Sequence, residues 1–370
     1  MKIQLSKASL LNGVNIVSKA VPTKTTMSIL ECILIDTSAG NIKLTANDME
    51  LGIETIVEGE IFEKGSVALN AKIFSDIVRK LPESNVMIET NGEYVTSITC
   101  ENASFKIAGH PGDDFTLIPV IDRNDSIILS QFTLKEMIRQ TIFSIADNDN
   151  NKMMNGEMIE IKNNTLRIVA LDGHRVALRK IELKNDYEYK KVIVPGKTLN
   201  EISKILSGET DKDVSIFFTS KHIMFEFDET VVVSRLIEGD YFRIDQMISN
   251  DHEICFSVNK KDLLSCIDRA TLLVKEGDKK PIIIDINDQS LNIQMKSSLG
   301  SMNESISINK TIGSTLKIGF NPKFLIDVLK VIDEEEIDIY MISSKAPCFI
   351  KDKEGSYFYL ILPVNFISAE

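Results

Sequence analysis

The 370-residue chain repeats one arrangement of strands and helices three times, with a period of about 125 residues. Each repeat opens with a short strand and an amphipathic helix, and these openings begin at Lys2, Ser126 and Glu253. A strand pair around a turn, a strand–helix–strand unit and a final strand pair follow in each repeat. The pattern predicts three similar domains, which we place at residues 1–121, 126–248 and 253–370.

The order of elements within a repeat sets the expected fold class. Two helices lie among several strands, and there is no run of alternating strands and helices that would build a parallel sheet. The sequence therefore predicts an α+β fold, with two helices per domain on one face of largely antiparallel sheets. The joints at 113–125 and 244–253 are short, polar and rich in turn residues, so we expect the three domains to form a rigid crescent.

Composition limits the class of protein. The chain is 43% hydrophobic and 26% charged, as soluble globular proteins are, and no apolar run approaches the roughly 20 residues that cross a bilayer. The N-terminus has no features of a signal peptide. We expect a cytoplasmic protein with no membrane contact. The scattered cysteines fit free thiols in a reducing compartment and argue against a zinc site; they are Cys32, Cys100, Cys255, Cys266 and Cys348.

The charge is distributed unevenly, although the net charge is −12. Six helices are predicted, at 7–20, 71–81, 133–145, 196–206, 260–275 and 321–332. They contain 15 Lys and Arg but only 6 Asp and Glu, a net charge of +9 that leaves −21 on the rest of the chain. Lysines decorate any solvated helix, but six non-acidic helices in an acidic protein favour a basic face that contacts a phosphate backbone. Because there is no recognition-helix motif and no aromatic cluster, such contact would be independent of sequence.

The segment LDGHRVAL (171–178) is the strongest local signal in the chain. Asp-Gly between two apolar runs predicts a two-residue hairpin turn at Asp172 and Gly173. The corresponding turns of the other repeats lack the His-Arg pair that follows here, so the fold itself does not need His174 and Arg175. No nucleophile, paired-carboxylate or metal-ligand motif accompanies them, which argues against catalysis. We expect no catalytic residue, no metal and no cofactor, and we interpret the segment as part of a docking surface.

In their order along the chain, several segments resemble the β subunit of bacterial DNA polymerase III, the sliding-clamp family. They are SILECILIDTSAGNIKLTANDMELGI (28–53), MNGEMIEIKNNTLRIVALDGHRVAL (154–178), SRLIEGDYF (234–242) and YLILPV (359–364). The resemblance covers the whole chain. It implies a non-catalytic processivity factor: a head-to-tail homodimer of two crescents that closes a ring of six domains, with the helices lining a hole filled by duplex DNA. The competing hypothesis is an open scaffold that binds peptides without encircling DNA.

The same resemblance implies the site residues. A hydrophobic pocket between the second and third domains would bind peptides from the replicative polymerase, the clamp loader and repair proteins. Its residues would be Met154, Leu171, Gly173, His174, Arg175, Val176, Phe242, Met247, Leu360, Leu362, Pro363 and Val364. His174 and Arg175 are expected to be wall residues whose substitution leaves the fold intact. DNA-facing residues would be Lys24, Lys72 and Lys197, and the dimer interface would contain Phe105, Ile107, Leu272 and Leu273. The chain departs from the family pattern at Met153–Met154, at Tyr241–Ile244, which lacks a proline, and at Asn365 and the extension 366–370 that follows.

Overall fold

A computed structural model describes residues 1–146, 150–248, 251–275 and 280–366. The α-helices of this part are α1 Lys7–Val17, α2 Ala71–Lys80, α3 Gln131–Arg139, α4 Gly196–Ile205, α5 Lys260–Thr271 and α6 Pro322–Val331. The strands are β1 Lys2–Ser6, β2 Cys32–Asp36, β3 Ile42–Asn47, β4 Leu51–Val57, β5 Glu60–Glu63, β6 Ser66–Asn70, β7 Asn85–Thr90, β8 Val95–Cys100, β9 Ala103–Pro111, β10 Ile127–Ser130, β11 Gly156–Leu171, β12 Arg175–Pro195, β13 Asp213–Phe218, β14 His222–Phe227, β15 Thr230–Arg235, β16 Ile254–Asn259, β17 Ile282–Ile286, β18 Ser290–Lys296, β19 Ser301–Ser307, β20 Asn309–Ile312, β21 Leu316–Phe320, β22 Glu336–Met341, β23 Cys348–Lys351 and β24 Tyr357–Ile361.

Each helix begins one or two residues after the end of a strand. The residue immediately before the helix usually caps it. The side-chain oxygens of Ser6, Asn70, Ser130, Asn259 and Asn321 accept hydrogen bonds from backbone N–H groups two or three residues further on, at 3.0–3.1 Å. Such a cap satisfies one of the donors that the first turn of a helix leaves without a partner. The repeated strand–cap–helix unit is therefore encoded locally, and it is why all six helices lie where the sequence predicts them.

Three of the helices differ from their predicted bounds by more than one residue. α1 ends at Val17 and not at residue 20, α3 covers 131–139 and not 133–145, and α5 ends at Thr271 and not at residue 275. A hydroxyl group bonds back to the helix at each C-terminal end. Ser18 donates to the carbonyl of Val14 (2.6 Å), Thr141 to that of Met137 (2.8 Å) and Thr271 to that of Asp268 (2.6 Å). Such local bonds compete with continued helix, and apolar periodicity does not reveal them.

The chain forms two compact units, of which the first contains residues 1–135 and 200–236. One sheet of thirteen strands runs through it in the order β10-β13-β14-β15-β4-β3-β2-β6-β9-β8-β7-β1-β5. β15 of the second repeat pairs antiparallel with β4 of the first, from Thr230 opposite Thr55 to Ser234 opposite Leu51. Strand pairing, and not only side-chain packing, therefore joins the first two repeats.

The second unit contains residues 136–199 and, within the described part, 237–366. It has a seven-stranded sheet in the order β11-β12-β24-β23-β22-β16-β20 and a four-stranded sheet in the order β19-β18-β17-β21. β24 of the third repeat pairs antiparallel with β12 of the second, with Arg175 opposite Ile361 and Arg179 opposite Tyr357. Each compact unit thus contains one junction between repeats, which explains why the units divide the second repeat.

The cysteines fit the expectation of free thiols. All five cysteines are free thiols, and burial raises the pKa of Cys32 and of Cys266 to about 11. Among the described residues, no helix has the length and apolar character needed to span a bilayer.

Candidate functional site

The tip of the β11–β12 hairpin differs by one residue from the predicted turn. Leu171 pairs with Val176, and the N–H of Asp172 donates to the carbonyl of Arg175 (3.4 Å), so the central turn residues are Gly173 and His174. The cause is the Asp172 carboxylate, whose Oδ1 accepts from the N–H groups of His174 (2.9 Å) and Arg175 (3.1 Å). This bonding places Asp172 before the turn, and Gly173 takes the positive φ of 83° that favours glycine.

The Arg175 side chain is buried, with 6% of its surface exposed. Its guanidinium donates to Oδ2 of Asp172 (2.9 Å), to Oδ2 of Asp327 on α6 (2.7 Å) and, by a short bond, to the carbonyl of Phe143. Its carbon Cζ also lies 4.5 Å from the ring centre of Phe324. Contrary to the expectation from the sequence, we therefore expect replacement of Arg175 to affect the fold, because this side chain ties the hairpin tip to α6 and to the segment after α3.

An apolar cluster lies beneath the hairpin tip. Of the predicted pocket residues, Leu171, Val176 and Leu360 are buried in this cluster, and Met154 and Phe242 are partly buried against it. The hydroxyl of a neighbouring tyrosine, Tyr241, is satisfied by the carbonyl of Val169 (3.2 Å), and its ring meets that of Phe242 edge-on. Residues distant in sequence are thus assembled into one apolar floor.

The C-terminal segment forms the rim beside this floor. The N–H of Leu362 donates to the carbonyl of His174 (2.8 Å), and that of Val364 donates to the carbonyl of Gly319 in β21 (2.8 Å), with Pro363 half-buried between them. Leu362 is 36% exposed although its backbone is fixed. We call the floor and this rim, residues 171–176 and 360–364 with Met154 and Phe242, the hairpin surface.

Three further positions complete the surroundings of the hairpin surface. His174 is exposed at the turn and stacks on the ring of Phe324 at 6.0 Å. Met247 is 37% exposed and follows the short turn 244–246, whose Ile244 belongs to the apolar cluster. Phe324, Asp327 and Phe143, which contact Arg175, were not predicted from the sequence. One signal was available, since Asp327 is the only carboxylate in the otherwise apolar or basic helix α6.

One ionisable group near this cluster has no ligand role. Glu157 is completely buried, and neither of its carboxylate oxygens has a hydrogen-bond partner among the residues that the structure describes. Burial raises its pKa to about 8. The nearby Thr141 hydroxyl opposes this rise only partly, because it donates its proton to the carbonyl of Met137. Glu157 is therefore protonated at pH 7 and contributes no charge to the site.

The predicted interface residues lie on two separate elements. Phe105, which is 38% exposed, and the half-buried Ile107 are on β9 in the first unit. Leu272, which is 78% exposed, and Leu273 follow α5 in the second unit. Leu273 packs partly on the core and lies beside Gly300, next to the start of β19.

The basic residues of the helices do not all contribute to an exposed face. Lys24, Lys72 and Lys197 are exposed, as DNA-facing residues must be. Lys7, which the charge count included, is 8% exposed and forms a short ion pair with Glu83. Its charge is therefore paired with a carboxylate of the first unit.

Three copies of one α+β domain, joined through strand pairing, define the DNA-clamp class of fold. The family descriptions that match are the N-terminal domain of the DNA polymerase III beta subunit at residues 1–119, its central domain at 128–242 and its C-terminal domain at 245–365. The chain belongs to the DNA polymerase III beta subunit family. The predictions of fold class and family are confirmed, and with them the role of the family as a non-catalytic processivity subunit.

Relatives match over almost the whole chain. The beta sliding clamp of Staphylococcus epidermidis is 35% identical over 375 residues, covering 99% of each chain. A crystal structure from Eubacterium rectale, of a protein assigned as a DNA polymerase III beta subunit, is 65% identical with a TM-score of 0.96 and covers 99% of this chain and 100% of its own. The DNA polymerase sliding clamp of Bacillus subtilis is 32% identical with a TM-score of 0.95 over the same shares.

Proposed function

We propose that two copies of this chain close head to tail into a ring of six domains that encircles duplex DNA and tethers a polymerase to it. The domains are residues 1–121, 126–248 and 253–370, and the protein acts in the cytoplasm. The observation that carries the proposal is the way in which strands are paired at the two junctions between repeats.

Both internal junctions follow one rule. The last strand of a repeat pairs with the second strand of the central hairpin of the preceding repeat. Accordingly, β15 pairs with β4, and β24 pairs with β12. By position in the repeat, the remaining members of these two sets are β9 in the first repeat and β19 in the third. Within the described residues, β19 pairs with β18 alone, and β9 pairs through 103–108 with β8 alone.

By this rule the two strand edges are complementary, and they belong to the first and the third repeat. An unpaired edge exposes backbone donors and acceptors and is a template for another chain. When β9 of one molecule pairs with β19 of a second, a heterologous contact forms, and two such contacts close a ring of two chains. Phe105 and Ile107 on β9, with Leu272 and Leu273 beside β19, supply the apolar contact. Arg269 holds β19 against α5 through its ion pair with Glu304 (2.9 Å).

The charge distribution suits encirclement better than tight binding. The predicted helices total +9 in a chain of net charge −12, and Lys24, Lys72 and Lys197 supply exposed positive charges for the DNA. Few phosphates are neutralised at once, so direct binding to linear duplex is weak and falls steeply with salt. Retention on a closed circle does not depend on these contacts, because escape requires a junction to open.

Partner proteins bind the hairpin surface through short peptides with apolar anchors. The floor is apolar and fixed, and the exposed Leu362 and Met247 add apolar area at the rim. Each anchor contributes about 1.5–3 kcal/mol when it is buried, so two anchors supply about 3–6 of the roughly 8 kcal/mol that a micromolar affinity requires, and the peptide backbone supplies the rest. The replicative polymerase, the clamp loader and repair proteins are the partners that carry such peptides.

A test of topology separates the ring from an open scaffold. The protein is loaded by its clamp loader on nicked circular DNA, the salt is raised, and the circle is then cut once with a restriction enzyme. A ring stays through the salt step and slides off the free ends after cutting. If the protein leaves intact circles as readily as linear DNA, it does not encircle its substrate and acts as a scaffold.

A second test addresses the hairpin surface. Leu362→Ala removes an exposed side chain whose backbone is fixed on both sides, so the fold is retained. We expect about tenfold weaker binding of a peptide that ends in a Leu-Phe pair. Leu299→Ala, which truncates a leucine 55% exposed in the turn between β18 and β19, is the matched control. Equal peptide affinity in both variants would place the peptide site elsewhere.

A further inference from the structure

The hairpin between β3 and β4 has the same tip geometry as the one that forms the hairpin surface. The N–H of Asp48 donates to the carbonyl of Leu51 (3.0 Å), and its Oδ1 accepts from the N–H groups of Glu50 (3.0 Å) and Leu51 (2.7 Å). Met49 has a φ of 75°, in the place of Gly173 with its φ of 83°. The strand-end contact is repeated as well, since the N–H of Arg235 donates to the carbonyl of Glu50 (2.9 Å).

A cavity of about 240 Å³ lies beside this second tip, wholly within the first unit. We call it the junction groove. Its residues come from the tip, from the linker at 116–119 and from the neighbouring ends of β14 and β15. They include Met49, Leu117, Lys221, His222, Val233 and Arg235. Cavities that enclose whole small ligands are usually larger, so this volume suits one or two anchoring side chains of a chain that crosses the surface.

Local packing leaves two apolar side chains exposed to solvent beside this cavity. Ile118 is seated against Gly52 so closely that a Cβ added there would lie 2.0 Å from its Cγ2. Asn47 holds the linker by donating from Nδ2 to the carbonyl of Thr116 (3.1 Å). Because Ile118 faces inward, Leu117 faces outward and is 65% exposed. Met49 is 50% exposed and adopts a left-handed backbone that disfavours a side chain. Grouped exposed apolar side chains in a concave site indicate a binding surface.

The rim of the junction groove is basic. Lys221 and Arg235 are exposed, and His222, next to Lys221, lies opposite Arg235 in the pairing of β14 with β15. The carboxylate that faces them is Glu50, which lies 3.5 Å from Arg235 in a solvent-exposed pair. The pKa of His222 is lowered by burial and then by the positive charges of Arg235 and Lys221. An apolar cavity with a cationic rim complements a carboxylate placed next to a large apolar side chain.

We propose that the junction groove is a second peptide site, which binds a linear segment carrying an apolar anchor beside one or more acidic residues. The inference goes beyond the proposed function, because it stands on the lining of this groove and not on the activity of the hairpin surface. A ring of two chains would present two such grooves in addition to its two hairpin surfaces.

Methyl NMR on the full-length protein with ¹³C-labelled methionine methyl groups tests this, because methionines lie at both sites. Met49 reports the junction groove, whereas Met154 and Met247 report the hairpin surface and its surroundings. The probe is the hexapeptide Glu-Asp-Leu-Leu-Phe-Gly with blocked ends, titrated at 150 mM salt. We expect a saturable shift of the Met49 methyl signal. A peptide with both acidic residues replaced by lysine should need at least a fivefold higher concentration.

Variants on the linker give the matched comparison. Leu117→Ser should weaken the binding seen at Met49 about tenfold, because the peptide anchor loses its apolar contact with the Leu117 side chain. Val120→Ser changes a side chain that is 95% exposed on the same linker and outside the groove, and should leave the titration unchanged. A Met49 signal that does not move, or that moves equally in Leu117→Ser, overturns the proposal.

The outcomes for the two peptide sites are independent. Shifts at Met154 and Met247 without a shift at Met49 support the hairpin surface and reject the junction groove. The reverse result supports the junction groove and rejects the peptide role of the hairpin surface. If a 20-base-pair DNA duplex shifts Met49 and the acidic peptide does not, the basic rim binds phosphate and the peptide proposal fails.

Discussion

Replacing Arg175 with alanine tests whether the hairpin tip is held by its ion pairs. The change removes the cation that the carboxylates of Asp172 and Asp327 share, and both are largely shielded, with side-chain exposures of 13% and 21%. Breaking a buried ion pair from one side costs about 3–5 kcal/mol. Asp172 keeps its two backbone donors, and Asp327 is partly solvated, so we expect the lower end, about 3 kcal/mol. The carbonyl of Phe143 also loses a donor.

The free energy of unfolding is measured in urea for the wild type, Arg175→Ala, Asp327→Ala and the double variant. Because the orphaned Asp327 charge causes much of the loss, removing both partners should cost about 2 kcal/mol less than the sum of the single changes. His174→Ala, at an exposed neighbouring position, is the control and should change stability by under about 1 kcal/mol. A loss below about 1 kcal/mol for Arg175→Ala, or additive single changes, would refute this account.

Three further outcomes are expected. Between pH 4.5 and about 8, Glu157 holds a proton in the folded protein but not in the unfolded chain. The free energy of unfolding therefore falls by about 1.4 kcal/mol per pH unit as pH rises through that range. Glu157→Gln should flatten this slope in urea unfolding, and an unchanged slope would exclude Glu157 as its source. Leu272→Ala with Leu273→Ala should lower the light-scattering mass at micromolar concentration from twice 41.5 kDa toward 41.5 kDa, whereas a retained dimer would place the interface elsewhere. Met49→Gly relieves a positive φ of 75° and should raise the free energy of unfolding by about 1 kcal/mol, and a decrease would show that the Met49 side chain stabilises the fold.

Local signals were sufficient for the positions of the helices and for the repeat. A capping residue such as Asn321, followed by Pro322 and an apolar stripe, defines the start of α6 without knowledge of any other part of the chain. The ionic partners were not predictable in this way. Lys7 pairs with Glu83 and Arg175 with Asp327, and such separations in sequence carry no periodicity or spacing rule. Sequence alone therefore predicted the residues that form the hairpin surface, but it did not predict the buried ion pairs of Arg175.

The shared strand-addition rule has a kinetic consequence, because only some of the junctions are backed by a peptide linker. When β15 separates from β4, or β24 from β12, the intervening chain keeps the strands close, and re-pairing is an intramolecular event at a high effective concentration. In the proposed ring, the pairing of β9 with β19 of another chain has no such tether. Once one of the two end junctions separates, its strands remain together only through the other end junction. Opening of the proposed ring is therefore confined to the two junctions between β9 and β19 of different chains, and each opening separates only one short stretch of sheet.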